Sequence, residues 1–294
     1  MPENKNRRPD LELLEIPADK TLIAGEVMPP MYMGRSSGVA FYQAALEAAA
    51  QTNRAADAAP TRTSIGSAQV TYNCGEIISR YYIPEANVED KGGIEVCDKT
   101  GARAAMLSVL RQSETAVATL LLGNGTATAI GANFITQVKG MVEDLMVYDG
   151  ETAVVLPQTA YNVIIARAEI TAALNRFSAV TPLDNEQILS LNARLLAMVL
   201  GVDRVLIGAD KYWGTSTANK QKAVVMKIAP KEDESENLGA VFGKQIIYQP
   251  NDNPFEIRAW YDDNDLTYNY DALKRATYQV FNAGAAKVIS GIGA

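Results

Sequence analysis

Residues 69 to 84, QVTYNCGEIISRYYIP, alternate as a strand does, yet their apolar side chains change faces along the way. Val70, Tyr72 and Cys74 share one face. Past Ile77 and Ile78 the apolar weight moves to Tyr81 and Ile83 on the opposite face, with Tyr82 on the first. A strand buried against one core keeps one face apolar. At about 3.3 Å per residue, roughly 14 residues reach on the order of 45 Å, whereas a compact chain of this size has a radius of gyration of roughly 19 Å. Such a ribbon crosses the whole molecule or leaves it, and an arm that leaves its body must find its cover on a neighbouring chain. Tyr72, Ile78, Tyr81, Tyr82 and Ile83 are then its inter-subunit contact residues.

Around the ribbon the periodicities change several times. Residues 1 to 36 are punctuated by Pro and Gly and read as an extended arm. GVAFYQAALEAAAQTNRAADAA reads as a helix ending before Pro60, with Phe41, Ala45, Leu46 and Ala49 as a thin packing stripe. A long helix begins near Asp98 and ends at Gly123 or Gly125. Asp98 or Thr100 is a candidate cap, and Ala102, Met106, Val109, Leu110, Ser113, Val117, Leu120 and Leu121 line one face.

From Phe134 the elements alternate. A helix runs through Leu145, TAVVLP is a strand, and helices span Thr159 to about Asn175 and Asn185 to Leu200. The last of these opens with an Asp184/Gln187 capping box, carries Ile188, Leu191, Leu195 and Val199 as its buried stripe, and stops at Gly201 before the strand RVLIG. This is an α/β module. KAVVMKIAP, the acidic loop KEDESENLG and FGKQIIYQP follow it.

The chain closes with FEIRAWYDD, a break at DDND, and LKRATYQVFNAGAAKVISGIG, where Ala276, Tyr278 and Val280 alternate with Arg275, Thr277 and Gln279. These read as long antiparallel strands, and the long helix is their natural cover. The fold class is α+β. The expected division is an N-terminal arm and helix (1–60), an extended loop (61–97), a long helix with its linker (98–132), an inserted α/β module (133–244) and closing strands (245–294).

A hydrophobic fraction of 48% suits a chain with a real core, and 27 basic against 34 acidic residues give a net charge of −7. That balance disfavours a sequence-independent nucleic-acid binder. Lys5, Arg7 and Arg8 make only the extreme N-terminus basic, as a solubilising tail or as a contact to a polyanion or partner. Histidine is absent, which removes the commonest general base and metal ligand. Cys74 and Cys97, 23 positions apart, read as core or interface thiols. The start lacks an apolar h-region and no run reaches the roughly 18 apolar residues of a membrane span, so an intracellular, soluble protein is expected.

Candidate chemistry is thin. GNGTATAIG lacks both phosphate-loop signatures and reads as a flexible connection, and Asp262, Asp263, Asn264 and Asp265 read as a solvated turn because Thr267 stands where a calcium loop needs Gly. Glu85 with Glu89, or Glu232 with Glu234, lie in polar turns. Lys139, Lys211 and Lys222 have nothing around them that marks a nucleophile. Tyr81, Tyr82, Trp260 and Tyr261 are core aromatics or interface anchors. No catalytic residue, cofactor or metal site is assigned.

This order of elements resembles the major capsid protein of tailed bacteriophages, the Hong-Kong-97-type fold shared with encapsulin shells. APTRTSIGSAQVTYNCGEIISRYYIP looks like its extended loop and KTGARAAMLSVLRQSETAVATLLLGN like its spine helix. FITQVKGMVEDLMVYDGETAVVLP through RVLIG looks like its axial domain, and FEIRAWYDDNDLTYNYDALKRATYQVFNAG like the closing strands of its peripheral domain. LGVDRVLIG and YNCGEIISRYYIPE are the most characteristic strings.

The resemblance implies a structural subunit of the virion, made in the host bacterial cytoplasm, that assembles into hexamers and pentamers. These would close as an icosahedral shell around double-stranded DNA held without sequence specificity. It also implies scaffolding, portal and decoration proteins as partners, with scaffolding separate or already cleaved. Some relatives crosslink through a Lys and an Asn beside a Glu, and no residues of this sequence are assigned to that chemistry. Two alternatives are an encapsulin-type compartment and an α/β enzyme or binding protein using the central module. Deleting residues 63 to 80 is expected to leave a folded body that no longer makes shells.

Overall fold

Two of the closing strands pair antiparallel within one long sheet, whose centre is β11 (Thr267–Val280), 14 residues long. The computed structural model describes residues 7–14, 21–43, 67–124, 127–177, 185–229, 240–249 and 253–293. β10 (Glu256–Asp262) forms a hairpin with β11 across the DDND turn, where Asn264 N–H donates to Asp262 Oδ1 (3.0 Å) and Leu266 takes a left-handed φ of 50°. β9 (Gly243–Tyr248) pairs with the far end of β11, and β1 (Pro30–Met33) adds to β9 in parallel. β4 (Gly75–Pro84) pairs along ten positions of β11. Ala276 faces both Gly75 and Ile247, so β4 and β9 flank opposite edges of β11.

One face of this sheet is covered by α3 (Ile94–Gly123), whose 30 residues at about 1.5 Å each make a rod of about 45 Å. Ala102, Ala105, Met106 and Val109 pack against Phe255, Ile257 and Ala272. The helix starts earlier than the sequence suggests. Gly93, with φ +93°, ends the preceding turn in a conformation that suits only glycine, and the helix follows directly. Asp98 is therefore interior and caps nothing; it accepts a hydrogen bond from Tyr270 Oη at 2.8 Å.

The ribbon differs most from expectation. GVAFYQ is not the start of a helix: β2 (Ser37–Gln43) is a strand paired antiparallel with β3 (Ser67–Asn73), from Ser37 opposite Asn73 to Gln43 opposite Ser67. Val39, Phe41 and Tyr42 are β-branched or aromatic and favour a pleated surface, which outweighs the alanines that follow. Ala45, Leu46 and Ala49 lie outside the described residues. Ala40, Tyr72 and Cys74 pack on Met31, Val241, Ile246 and Phe281. Ile246 stands opposite Thr277, whereas Ala272 packs on α3, so β2 and β3 cover the sheet face turned away from α3.

The face change in QVTYNCGEIISRYYIP is thus a change of side within one subunit. Up to Cys74 the buried side chains press on one face of the sheet. From Gly75 the chain becomes β4, and Ile77 and Ile83 turn towards the α3 side. The expectation that this segment has no place in its own body is overturned. It is two strands, and its own chain covers one face of each.

The N-terminal segment is likewise woven in, and α1 (Pro9–Glu12), α2 (Ala24–Val27) and β1 interrupt the expected extended arm. Val27 and Met28 are fully buried with Val117, Leu121 and Phe242. A second sheet has the order β5-β12-β8-β6-β7: β5 (Ala127–Ala129), β12 (Ala286–Ser290), β8 (Ala223–Ile228), β6 (Glu151–Pro157) and β7 (Arg204–Gly208). GNGTATAIG therefore contains an edge strand, and the chain's last strand joins this sheet and not the long one. α4 (Phe134–Asp144) is capped by Asn133, which accepts from Thr136 N–H at 3.1 Å.

The helix expected over residues 159 to 175 is two, α5 (Gln158–Ile165) and α6 (Ala168–Phe177). Arg167 at the break bonds Glu169 (2.7 Å) and the Ala132 carbonyl (3.1 Å). α7 (Asn185–Leu200) ends at Gly201 with φ +73°, and α8 (Thr217–Lys220) is one turn. Asp184 lies outside the described residues. Phe134, Val138, Tyr161, Ile164, Leu196 and Leu200 cover one face of the second sheet. α2, the end of α3 and Trp213 cover the other. Burial on both faces explains the unbroken apolar run TAVVLP.

Candidate functional site

With β2 and β3 lying over one half of the long sheet's outer face, two apolar surfaces remain open among the described residues. One is the outer side of the ribbon itself, where Val39 and Phe41 are 45% and 57% exposed. The other is the uncovered half of the sheet, where Ile78, Arg80 and Tyr82 alternate along β4 and Trp260 stands on β10. Ile78 is 47% and Tyr82 62% exposed. Arg80 donates to both carboxylate oxygens of buried Asp271 (2.8 and 3.1 Å) and lies 4.6 Å from the Trp260 ring centroid. Beside them Arg275 Nε donates to Glu76 at 2.9 Å. The patch combines isoleucine, tyrosine, tryptophan and a positioned arginine, the composition of energetically dominant interface residues.

Of the seven residues expected at a subunit contact, the structure brings Ile78, Tyr81 and Tyr82 to the surface, Tyr81 on the α3 side of the strand. Tyr72 and Ile83 are buried in their own chain, because each faces the layer that covers its half of the segment. Arg7 and Arg8 are not a free basic tail. Arg7 donates to both oxygens of Glu12 (2.8 and 2.9 Å), and Arg8 to Asp10 (2.8 and 2.9 Å) and Asp98 (3.2 Å). These hydrogen bonds hold both guanidinium pKa values above the ordinary arginine value. The Arg8 amide donates to the Ile257 carbonyl at 2.9 Å, so the segment also closes the outer edge of β10.

The remaining candidates scatter. Tyr261 Oη donates to Glu85 at 2.6 Å, and that bond to a carboxylate pushes the phenol up to about 12. Glu89, Lys139 and Lys211 are exposed, and Lys222 bonds Asn219 (3.1 Å). Glu232 and Glu234 lie outside the described residues. Among the described residues the buried lysines are Lys244 and Lys274, neither of them a candidate from the sequence. Lys274 is 4% exposed, its ammonium lies 5.8 Å from the Phe255 ring, and burial lowers its pKa to about 8. A signal for it existed: the apolar alternation Ala276, Tyr278, Val280, carried back one step, puts Lys274 on the buried face. Cys74 and Cys97 are buried free thiols, and burial pushes the Cys74 thiol pKa up. Among the described residues no helix is long and apolar enough to cross a membrane.

No family model matches the chain, and no curated protein does. Solved structures do. A phage-related protein from Bordetella bronchiseptica RB50 aligns over 96% of both chains, with a TM-score of 0.67 at 12% identity. The capsid of cyanophage P-SCSP1u aligns over 94% of this chain and 90% of that one, with a TM-score of 0.54 at 11% identity. A virus-like particle from Pyrococcus furiosus aligns over 90% of each chain, with a TM-score of 0.51 at 9% identity. At such identities the likeness speaks of architecture, and in architecture this chain has the mixed α+β fold of phage capsid proteins.

Proposed function

We propose that the protein is the major structural subunit of a tailed-phage capsid. Its copies assemble through hexamers and pentamers into an icosahedral shell around double-stranded DNA, with scaffolding, portal and decoration proteins as further partners. The observation that carries the reading is the end-to-end likeness to a phage capsid, over 94% of this chain and 90% of the other. The open surfaces support it: Val39 and Phe41 on the ribbon, Ile78 and Tyr82 on the sheet, all large, hydrophobic or aromatic, and each 45–62% exposed. A subunit that works alone rarely leaves so many large apolar side chains grouped in the open. The proposed peripheral part is the long sheet with α3, and the proposed axial part is the second sheet with its helices. No catalytic residue has a place in this reading.

Electron microscopy of the purified protein tests it, with closed shells of uniform diameter as the expected result. Val39→Ser with Phe41→Ser should abolish the shells while the circular dichroism spectrum of the subunit stays unchanged. A wild-type protein that is monomeric under every assembly condition would overturn the proposal. Shells that enclose an enzyme in place of DNA would favour the encapsulin-type alternative.

A further inference from the structure

β4 is the outermost strand of its sheet: β11 pairs with one edge along all ten residues, and among the described residues no strand pairs with the other. The opposite side of the sheet is treated differently, because residues 7 and 8 bridge the edge of β10. Beside the open edge, between the start of β4 and the flank of α3, lies a groove of about 870 Å³ lined by Gly75, Ile77, Gln112, Thr115, Ala116 and Thr119. An unpaired edge beside such a groove is the arrangement that receives an added strand: backbone hydrogen bonds form along the edge and alternate side chains enter the groove.

We infer that the added strand is β4 of a second copy, paired antiparallel about Ile78. In that register Glu76 of each copy stands opposite Arg80 of the other, twice, and Ile78 meets Ile78. Glu76 and Arg80 share the outer face with Ile78, and both side chains are 58% exposed. On the α3 side Tyr81 stands opposite Gly75 of the other copy. Tyr81 pairs across β11 with Tyr270, so it points to the α3 side, yet it is still 36% exposed within its own chain. It would enter the second copy's groove, where a tyrosine over an edge glycine is a favourable cross-strand pair. Moving the centre to Arg80 would set Arg80 on Arg80, and centring on Ser79 would leave no charge pair. Charge and groove therefore select one register. The contact is isologous, which joins one ring of subunits to another across a two-fold axis.

This inference rests on the self-assembly reading, and its test separates the two. Ile78→Cys is made in the full-length protein and oxidised mildly, before and after assembly, and the linked peptides are mapped by mass spectrometry. Antiparallel partners have Cα atoms about 4.5–5.5 Å apart, within disulfide reach. A 78–78 disulfide dimer is expected, lost on adding Tyr81→Ala or Glu76→Lys, with no 82–82 disulfide from Tyr82→Cys. Shells without a 78–78 disulfide would overturn the pairing and leave the capsid reading standing; the disulfide dimer without shells would do the reverse. If Ile78→Cys does not fold, hydrogen exchange on the unaltered protein decides. Amides of residues 75–81 that exchange equally fast in dilute subunit and in assembled material would overturn the pairing.

Discussion

Lys274 places a cation where, among the described residues, no anion meets it. It stands on β11 between Ala272 and Ala276, on the side packed by α3, with its ammonium over the Phe255 ring. Burial lowers its pKa from 10.5 to about 8. The fall from 10.5 to about 8, at about 1.4 kcal/mol per pH unit, is a penalty of about 3.5 kcal/mol on the charged form. The Phe255 contact, near the limit of useful distance, returns about 0.5–1 kcal/mol, so a net cost of about 2–3 kcal/mol remains.

The sign follows from proton counting. Between pH 8 and 10.5 the unfolded chain binds more protons at this residue than the folded one, so stability rises with pH through that window. Below pH 8 both states are charged and the full penalty persists. Lys274→Met, which keeps the volume and removes the charge, should stabilise the unassembled subunit by about 2–3 kcal/mol at pH 7 and by much less at pH 10. Urea unfolding of both proteins at both pH values measures this, and the difference of differences cancels every other titrating group. Destabilisation at pH 7, or a gain that does not change with pH, would refute the reasoning.

Two further substitutions probe how the long sheet is held. A Cβ on Gly101 would sit 2.2 Å from the Tyr270 ring, which Asp98 fixes in place. Gly101→Ala should therefore cost stability despite alanine's helix preference, by about 1–3 kcal/mol, which lowers Tm by about 2–4 °C per kcal/mol; an unchanged or higher Tm by calorimetry would count against this packing. Arg80→Met strips buried Asp271 of its hydrogen-bonded cation. Because Arg80 is itself more than half exposed, the expected loss is about 1–2 kcal/mol. Adding Asp271→Asn should recover most of it, and strictly additive losses in a double-mutant cycle would show that the pair is not coupled.

The elements that the sequence revealed best were those with one long, uniform environment. α3 repeats at helical spacing because its inner side meets one sheet throughout, and TAVVLP is apolar without alternation because both its faces are covered. The errors fall where the environment changes within a few residues. GVAFYQ and the alanines after it have opposite preferences, and local propensity could not mark Gln43 as the end of a strand whose partner, β3, begins 24 positions later. β12 went to the wrong sheet because AKVIS alternates equally well in either, and only its pairing with β8 decides.

The surface follows the same pattern. A change of face was visible in the sequence, there set past Ile77 and Ile78, and so was the need for two covers; its place at Cys74–Gly75 and the identity of the covers depend on tertiary contacts that no alternation encodes. Once the sheet and α3 take up Tyr72, Cys74, Ile77 and Ile83, the apolar residues left over are those of the complementary parity: Val39 and Phe41 on the ribbon, Ile78 and Tyr82 on β4. A ribbon reaching a neighbour as a whole would have exposed both sets. Burying one set internally fixes the strands before any neighbour arrives, so the other set meets its partner already ordered and the conformational cost of association falls.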